Sequence, residues 1–164
     1  MDFVSIIMGS KSDYEVVCAA CEVLEKFGVK YEMIISSAHR SPKRTASYVA
    51  EAEKRGARVF IAAAGMAAHL AGAIAANTTK PVLGVPMAGS NLASMDSLFS
   101  TVQMPRGIPV ATLAIGKAGA ANAAYLAVQI LALGDESLAA ALQDERKVQE
   151  NKLIEDSKSI ERLL

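Results

Sequence analysis

Five short apolar runs, separated by longer helix-like stretches, constrain this chain more than any other feature. They are residues 3–8, 31–35, 58–62, 82–85 and 108–114. Each reads as nearly continuous apolar sequence instead of alternating, as strands do when helices cover both faces of a parallel sheet. Strands interleaved with helical segments place the chain in the α/β class, with a parallel sheet at its centre. Its 164 residues suffice for one well-buried core and fall short of two ordinary domains. A single domain over residues 1–164 is therefore expected, without an internal repeat, low-complexity tract or linker.

The helical segments carry their own boundary signals. Ser12, followed three residues on by Glu15, reads as a capping box that opens the first helix. Val16, Ala20, Leu24 and Phe27 then form its core stripe, and Gly28 stops it. Ser41 and Pro42 open the next helix, where proline's missing N–H costs nothing, and Gly56 closes it. After the fifth run, Gly119, Ala120, Ala121, Ala123, Ala124 and Ala127 make a helix so small-sided that another backbone can approach it closely. Gly134 ends it and Asp135 caps a last helix, 135–164. Leu138, Leu142, Val148, Leu153, Ile154, Ile160 and Leu163 are scattered along that otherwise polar segment, which needs a neighbour to lie on.

Composition removes several function classes. Lysine plus arginine equals aspartate plus glutamate at 17 each, so no global field draws the chain to nucleic acid or an acidic membrane. Any anion must be caught locally. The start, Met1-Asp2-Phe3-Val4-Ser5, lacks the basic leader and apolar core of a secretory signal. The apolar stretch 118–133 is interrupted by Gly119, Asn122 and Gln129 and is short for a bilayer span. Two cysteines are too few for a disulfide framework, so reduced thiols and a cytoplasmic location are expected. Cys18-Ala19-Ala20-Cys21 matches C-x-x-C, but it lies well inside the first helix, where nothing evident activates a thiol; a structural role is expected.

In open parallel sheets, ligands bind outside the carboxyl ends of the strands. Gly9-Ser10-Lys11-Ser12-Asp13 follows the first strand and offers backbone donors, two hydroxyls and a carboxylate at a helix start. It suits a phosphate, with Asp13 left for sugar hydroxyls, and equally suits plain helix capping. It has neither Walker nor dinucleotide spacing. Ser36-Ser37-Ala38-His39-Arg40-Ser41-Pro42 follows the second strand and sets a titratable imidazole beside a permanent cation. His39 can exchange protons near neutrality and Arg40 can fork onto a phosphate. The small-residue loop Ala64-Gly65-Met66-Ala67-Ala68-His69-Leu70-Ala71-Gly72 lets a flat ligand lie against backbone, with His69 either a pocket residue or a packing histidine. Two histidines without companion Cys, Asp or Glu at ligand spacing form no metal motif.

These loops, together with Pro81-Val82-Leu83-Gly84-Val85-Pro86, Gln103-Met104-Pro105-Arg106-Gly107-Ile108-Pro109-Val110 and Ala114-Ile115-Gly116-Lys117-Ala118-Gly119-Ala120-Ala121-Asn122-Ala123, occur in order. Over residues 3–133 the chain resembles the N5-carboxyaminoimidazole ribonucleotide mutases of de novo purine biosynthesis. The resemblance implies a flavodoxin-like three-layer α/β/α sandwich with a central five-stranded parallel sheet and a long C-terminal helix, 135–164, packing on a neighbouring subunit of a homo-octamer. It implies no metal and no organic cofactor. The family moves a carboxylate from the exocyclic nitrogen of its ribonucleotide to ring carbon-4, by releasing carbon dioxide in a closed pocket and recapturing it. By that likeness His39 is the general acid/base, while Ser10, Ser12, Asp13, Ser37 and Arg40 bind substrate, Asp13 at the ribose hydroxyls and Arg40 at the phosphate. Gly65, Ala67, Ala68, His69, Leu70 and Leu92 would complete the pocket wall.

Some positions depart from the family pattern. Met66 and Ala71 stand where relatives usually have Gly and Pro, and Gly89-Ser90-Asn91 replaces a more usual stretch. Two alternatives remain beside the mutase. One is the related aminoimidazole ribonucleotide carboxylase, which takes carbon dioxide from solution and more often has Lys where Arg40 stands. The other is a non-catalytic nucleotide-binding module, which the fold alone permits.

Overall fold

The computed structural model describes residues 2–162; Met1, Leu163 and Leu164, and with them the expected place of Leu163 on the last helix, lie outside the described residues. Five parallel strands form one sheet: β1 (Phe3–Met8), β2 (Tyr31–Ile35), β3 (Ala57–Ala64), β4 (Val82–Pro86) and β5 (Ala111–Thr112). Their order is β2-β1-β3-β4-β5, the flavodoxin-like arrangement, in which the winding reverses between β1 and β3. Met8 pairs with Ile35 on one side and Ala63 on the other, so three strands end level at that switch point.

Val4, Ile6 and Ile7 of β1 and Val59, Phe60 and Ile61 of β3 are wholly buried, which explains why these strands read as unbroken apolar runs. The fifth strand is shorter than expected, pairing only Ala111 with Leu83 and Thr112 with Gly84. Pro109 lacks the N–H a ladder needs, and the flanking Ile108 and Val110 pack on the core instead. Gly84 is required by space: a Cβ there would sit 2.4 Å from Thr101 Cγ2 and 2.9 Å from Val110 Cγ1.

Helix α1 spans Tyr14–Lys26, so the expected cap at Ser12 is corrected. A single 3₁₀ turn, Lys11–Asp13, intervenes, and Ser10 caps it by accepting from the Ser12 N–H at 3.3 Å. The buried stripe is correspondingly Val17, Ala20, Cys21 and Leu24, with Val16 only half-buried. Phe27 leaves the helix and packs edge-on against Tyr125, ring centroids 5.8 Å apart. Gly28 follows at φ 64, as a helix stop does.

Helix α2 (Pro42–Arg55) starts with proline in its first turn and ends at Gly56, whose left-handed φ of 107 closes it. Two short helices not marked by sequence periodicity, α3 (Leu70–Ala75) and α4 (Met95–Val102), follow β3 and β4. Helix α5 (Lys117–Ala132) buries Gly119, Ala120, Ala123, Ala124, Ala127 and Val128. A Cβ on Gly119 would lie 1.6 Å from the Ala114 carbonyl oxygen, so only glycine fits there.

By their internal contacts the residues divide into Met1–Val128 and Gln129–Leu164. The first unit holds the sheet. In the second, α6 (Glu136–Ile160) is capped by Asp135, whose Oδ1 accepts from the Ser137 and Leu138 N–H groups at 2.9 and 3.1 Å, and none of its residues is buried. Among the described residues no helix is long and apolar enough to cross a membrane.

Candidate active site

A cavity of about 590 Å³ opens at the carboxyl edge of the sheet. The β1 loop contributes Gly9, Ser10, Ser12 and Asp13, and the β2 loop contributes Ser37, Ala38, His39 and Arg40. The segment after β3 adds Ala64, Gly65, Met66, Ala67, His69 and Leu70, and that after β4 adds Ala88 and Gly89. The cavity therefore sits at the topological switch point, where strand-end loops diverge and leave room for a ligand.

Ten of the residues singled out from sequence line it together. Ala68 and Leu92 do not: Ala68 is buried at 2% exposure, while Leu92 is 65% exposed in the turn before α4. Sequence reasoning left Met66, Ala88 and Gly89 off the wall. The rule that ligands sit beyond strand ends, applied to β4, would have found the last two, since they directly follow Pro86 and Met87.

His39 and His69 meet in this cavity, Nε2 to Nδ1 at 2.6 Å, with their rings nearly perpendicular at 74°. One nitrogen must carry the shared hydrogen and the other must offer a lone pair, so the two rings cannot both be imidazolium while this bond holds. The pair thus stores at most one extra proton. Each ring keeps its other nitrogen outside this bond.

Arg40 is braced across two loops. Its Nη2 donates to the Gly9 carbonyl at 3.1 Å and its Nε to Ser37 Oγ at 3.4 Å, while its backbone N–H donates to the same Oγ at 3.2 Å. Ser37 is itself fixed by the residue that precedes α2: Ser41 Oγ donates to the Ser37 carbonyl at 2.9 Å and accepts from the Ser37 N–H at 3.3 Å. Ser41 was expected to cap α2, but its hydroxyl serves this turn instead and makes no cap bond to the helix. Beneath it, the buried hydroxyls of Ser36 and Thr45 bond at 2.8 Å. The guanidinium is thereby pre-oriented, with further N–H groups available to an anion.

Asp13 faces the same cavity from the β1 loop. Burial pushes its carboxyl above the usual range, against opposing hydrogen bonds from Ser12 and from the Ser10 backbone. Its charge is therefore under-solvated, and a ligand bringing hydroxyl donors would relieve that cost. The cavity offers a fixed cation, an under-solvated carboxylate, hydroxyls and an imidazole pair. It can hold a phosphorylated sugar and move a proton at a third group between them. Among the described residues no group of three or more His, Cys, Asp or Glu could hold a metal ion.

Comparison with known proteins places the chain in a family. A family model described as AIR carboxylase matches residues 3–152. The chain is 54% identical over 153 residues to N5-carboxyaminoimidazole ribonucleotide mutase of Escherichia coli (strain K12), covering 93% of this chain and 90% of that protein. It is 51% identical over 154 residues to the enzyme of that name from Bacillus subtilis (strain 168), covering 94% of this chain and 95% of the other. The crystal structure of Treponema denticola PurE is similar with a TM-score of 0.89 at 28% identity, covering 99% of this chain and 100% of that one.

Proposed function

The chain belongs to the AIR carboxylase family, and we propose from that premise that it is the isomerase that converts N5-carboxyaminoimidazole ribonucleotide to 4-carboxy-5-aminoimidazole ribonucleotide in purine biosynthesis. The observation that carries the residue-level reading is the convergence of Ser10, Asp13, His39 and Arg40 on one cavity from two different strand ends.

In this reading Arg40 takes the phosphate through charge-assisted hydrogen bonds, with Ser10, Ser12 and Ser37 beside it, and Asp13 takes the ribose hydroxyls. The bond from the exocyclic nitrogen to the carboxylate breaks, and its electron pair stays on nitrogen, which gains a proton. Carbon dioxide is freed beside an electron-rich ring. Carbon-4 then attacks it, a carbon–carbon bond forms, and carbon-4 gives up its proton. The net change is one carboxyl and one proton exchanged between nitrogen and carbon-4. His39 suits both proton steps, because an imidazole gives and takes protons near neutrality. The remaining work is to hold the reactants together and keep water out.

We assign the assembly to a homo-octamer, with 135–164 packing on a neighbouring subunit, and the location to the cytoplasm. Support for assembly comes from surface left uncovered in each unit. On α4, Met95, Phe99 and Val102 are 44%, 54% and 46% exposed at helical spacing. On α6, Leu153 and Ile160 are 71% and 79% exposed. Support for location comes from Cys18 and Cys21, both free. Light scattering at micromolar concentration checks the assembly, and a monomer would refute it.

The test of function is a carboxyl-transfer assay with added bicarbonate varied. Product formation independent of bicarbonate is expected of a mutase. Formation only from aminoimidazole ribonucleotide plus bicarbonate would identify the carboxylase, and binding without turnover would identify a non-catalytic module.

A further inference from the structure

Two hydroxyls on the cavity wall have had their hydrogen-bonding role fixed by the protein. A serine hydroxyl carries two lone pairs and one hydrogen, so one that already accepts twice can only donate further. Ser37 Oγ accepts from the Arg40 backbone N–H at 3.2 Å and from Arg40 Nε at 3.4 Å, and an N–H group can only donate. Ser10 Oγ accepts from the Ser12 N–H at 3.3 Å and from Ser12 Oγ at 3.0 Å. Each of the two keeps its hydrogen for a ligand, and both line the cavity.

Arg40 joins them. Its Nη2 reaches the carbonyl of Gly9, the residue before Ser10, while its Nε holds Ser37. Of the five N–H groups of a guanidinium, one on Nε and one on Nη2 are used in this way, which leaves three for a ligand. Ser12 has the opposite polarity. Its single hydrogen is committed to Ser10 Oγ and to Asp13 Oδ1 at 3.4 Å, so it shows a ligand lone pairs, as the Asp13 carboxylate does. The polar wall is thus sorted into donors on Ser10, Ser37 and Arg40 and acceptors on Ser12 and Asp13.

We infer that the donor set recognises a phosphate monoester in its doubly charged form and disfavours the singly protonated form. The inference rests on the reading above that a phosphorylated ribonucleotide occupies this cavity. The terminal oxygens of a dianion accept from every donor in the set, whereas a P–OH group turns its hydrogen toward groups that have only hydrogens to offer. Ser12 goes with Asp13 to the ribose hydroxyls, which bring the hydrogens those acceptors need. A free phosphate monoester loses its second proton at about pH 6, and a preference for the dianion lowers that value in the complex.

The experiment follows the ³¹P chemical shift of aminoimidazole ribonucleotide, free and bound to the full chain at saturation, from pH 5 to pH 8 in buffer without bicarbonate. This ligand is the species left when carbon dioxide departs, so it does not turn over. The shift reads the phosphate's own ionisation and is separate from titration of the groups that share the wall with Arg40: Asp13 from the β1 loop, His39 from the β2 loop and His69 after β3. The segment after β4 brings only Ala88 and Gly89. The bound phosphate is expected to titrate about one pH unit or more below the free one, which is a preference of about tenfold for the dianion. Ser37→Ala removes a brace of Arg40 along with the hydroxyl, whereas Ser10→Ala leaves the printed bonds of Arg40 in place. Ser10→Ala should therefore return part of the displacement, and Ser37→Ala more of it. A 5′-sulfate in place of the phosphate carries a single charge throughout this range and should bind the parent roughly tenfold more weakly at pH 7.5. A bound phosphate that titrates with the free one, an unchanged displacement in folded Ser10→Ala, or equal affinity for the sulfate overturns the inference alone. Failure of aminoimidazole ribonucleotide to bind the parent overturns the reading of the site as well, and that outcome is seen before any substitution is made.

Discussion

His39 and His69 stand 30 residues apart in the chain, and their facing nitrogens lie 2.6 Å apart. The bond ties the tautomer of one ring to that of the other, and each ring's remaining nitrogen is set by the same choice. If His39 moves the proton, His69 fixes which nitrogen is able to. His39→Asn should then cost ~100-fold to ~10,000-fold in turnover, the usual loss for a general acid/base, with assembly and much ribonucleotide binding intact. His69→Asn should cost less and displace the pH profile of kcat. Steady-state rates across pH, with calorimetric binding, check both; near-normal turnover in His39→Asn would sink the proton-transfer assignment.

Arg40→Ala should act chiefly on binding. It removes a braced cation whose hydrogen bonds to phosphate are worth about 1.5–3 kcal/mol, which corresponds to ~10-fold to ~100-fold in affinity. Lysine should recover only part, since it lacks the fork that reaches Gly9 and Ser37 while facing the ligand. Calorimetry with the ribonucleotide reads this directly, and a kcat loss without an affinity loss would contradict it.

Asp13→Asn separates stability from binding by pH. Burial raises the carboxyl's pKa in the folded state, so its ionisation counts against folding once the pH passes above the unfolded carboxylate range. The neutral amide avoids that cost. The variant is expected to melt higher than the parent at pH 7, to lose the advantage as the pH falls below the usual carboxylate range, and to bind the ribose hydroxyls more weakly. Thermal melts from pH 3 to pH 7 test the sign; a gain only at acid pH would refute it.

Gly119→Ala should be severely destabilising, because the new Cβ falls 1.6 Å from a backbone oxygen that cannot move without shifting the turn before α5. A loss of about 3 kcal/mol or more is expected. Gly134→Ala, with open space around its Cβ position, should stay within about 0.5 kcal/mol. Urea unfolding of the two variants gives the contrast, and similar midpoints would mean that the close approach is not rigid.

Cys21→Ala is expected to leave turnover within about threefold. Burial pushes the Cys21 thiol up, opposed by its hydrogen bond with Tyr31, so it stays protonated at neutral pH and forms no reactive thiolate. Slow alkylation of the folded protein and near-parental activity would agree. Loss of activity in a folded, assembled variant would show the C-x-x-C segment to be functional.

Local sequence determined much of this protein. Unbroken apolar runs located β1, β2, β3 and β4, and Gly28, Gly56 and Asp135 marked helix boundaries because left-handed φ and capping are properties of a few adjacent residues. The loops bearing Ser10, Asp13, His39 and Arg40 were legible for the same reason: strand-end loops in a parallel sheet face the ligand side. Tertiary structure decided what depends on distant partners. The shortening of β5, the burial of Ala68, the exposure of Leu92 and the meeting of His39 with His69 follow from packing between segments far apart in the chain. The start of α1 moved from Ser12 because a 3₁₀ turn capped by Ser10 takes up Lys11–Asp13, and Val17 replaces Val16 on the buried face while Ala20 and Leu24 stay there.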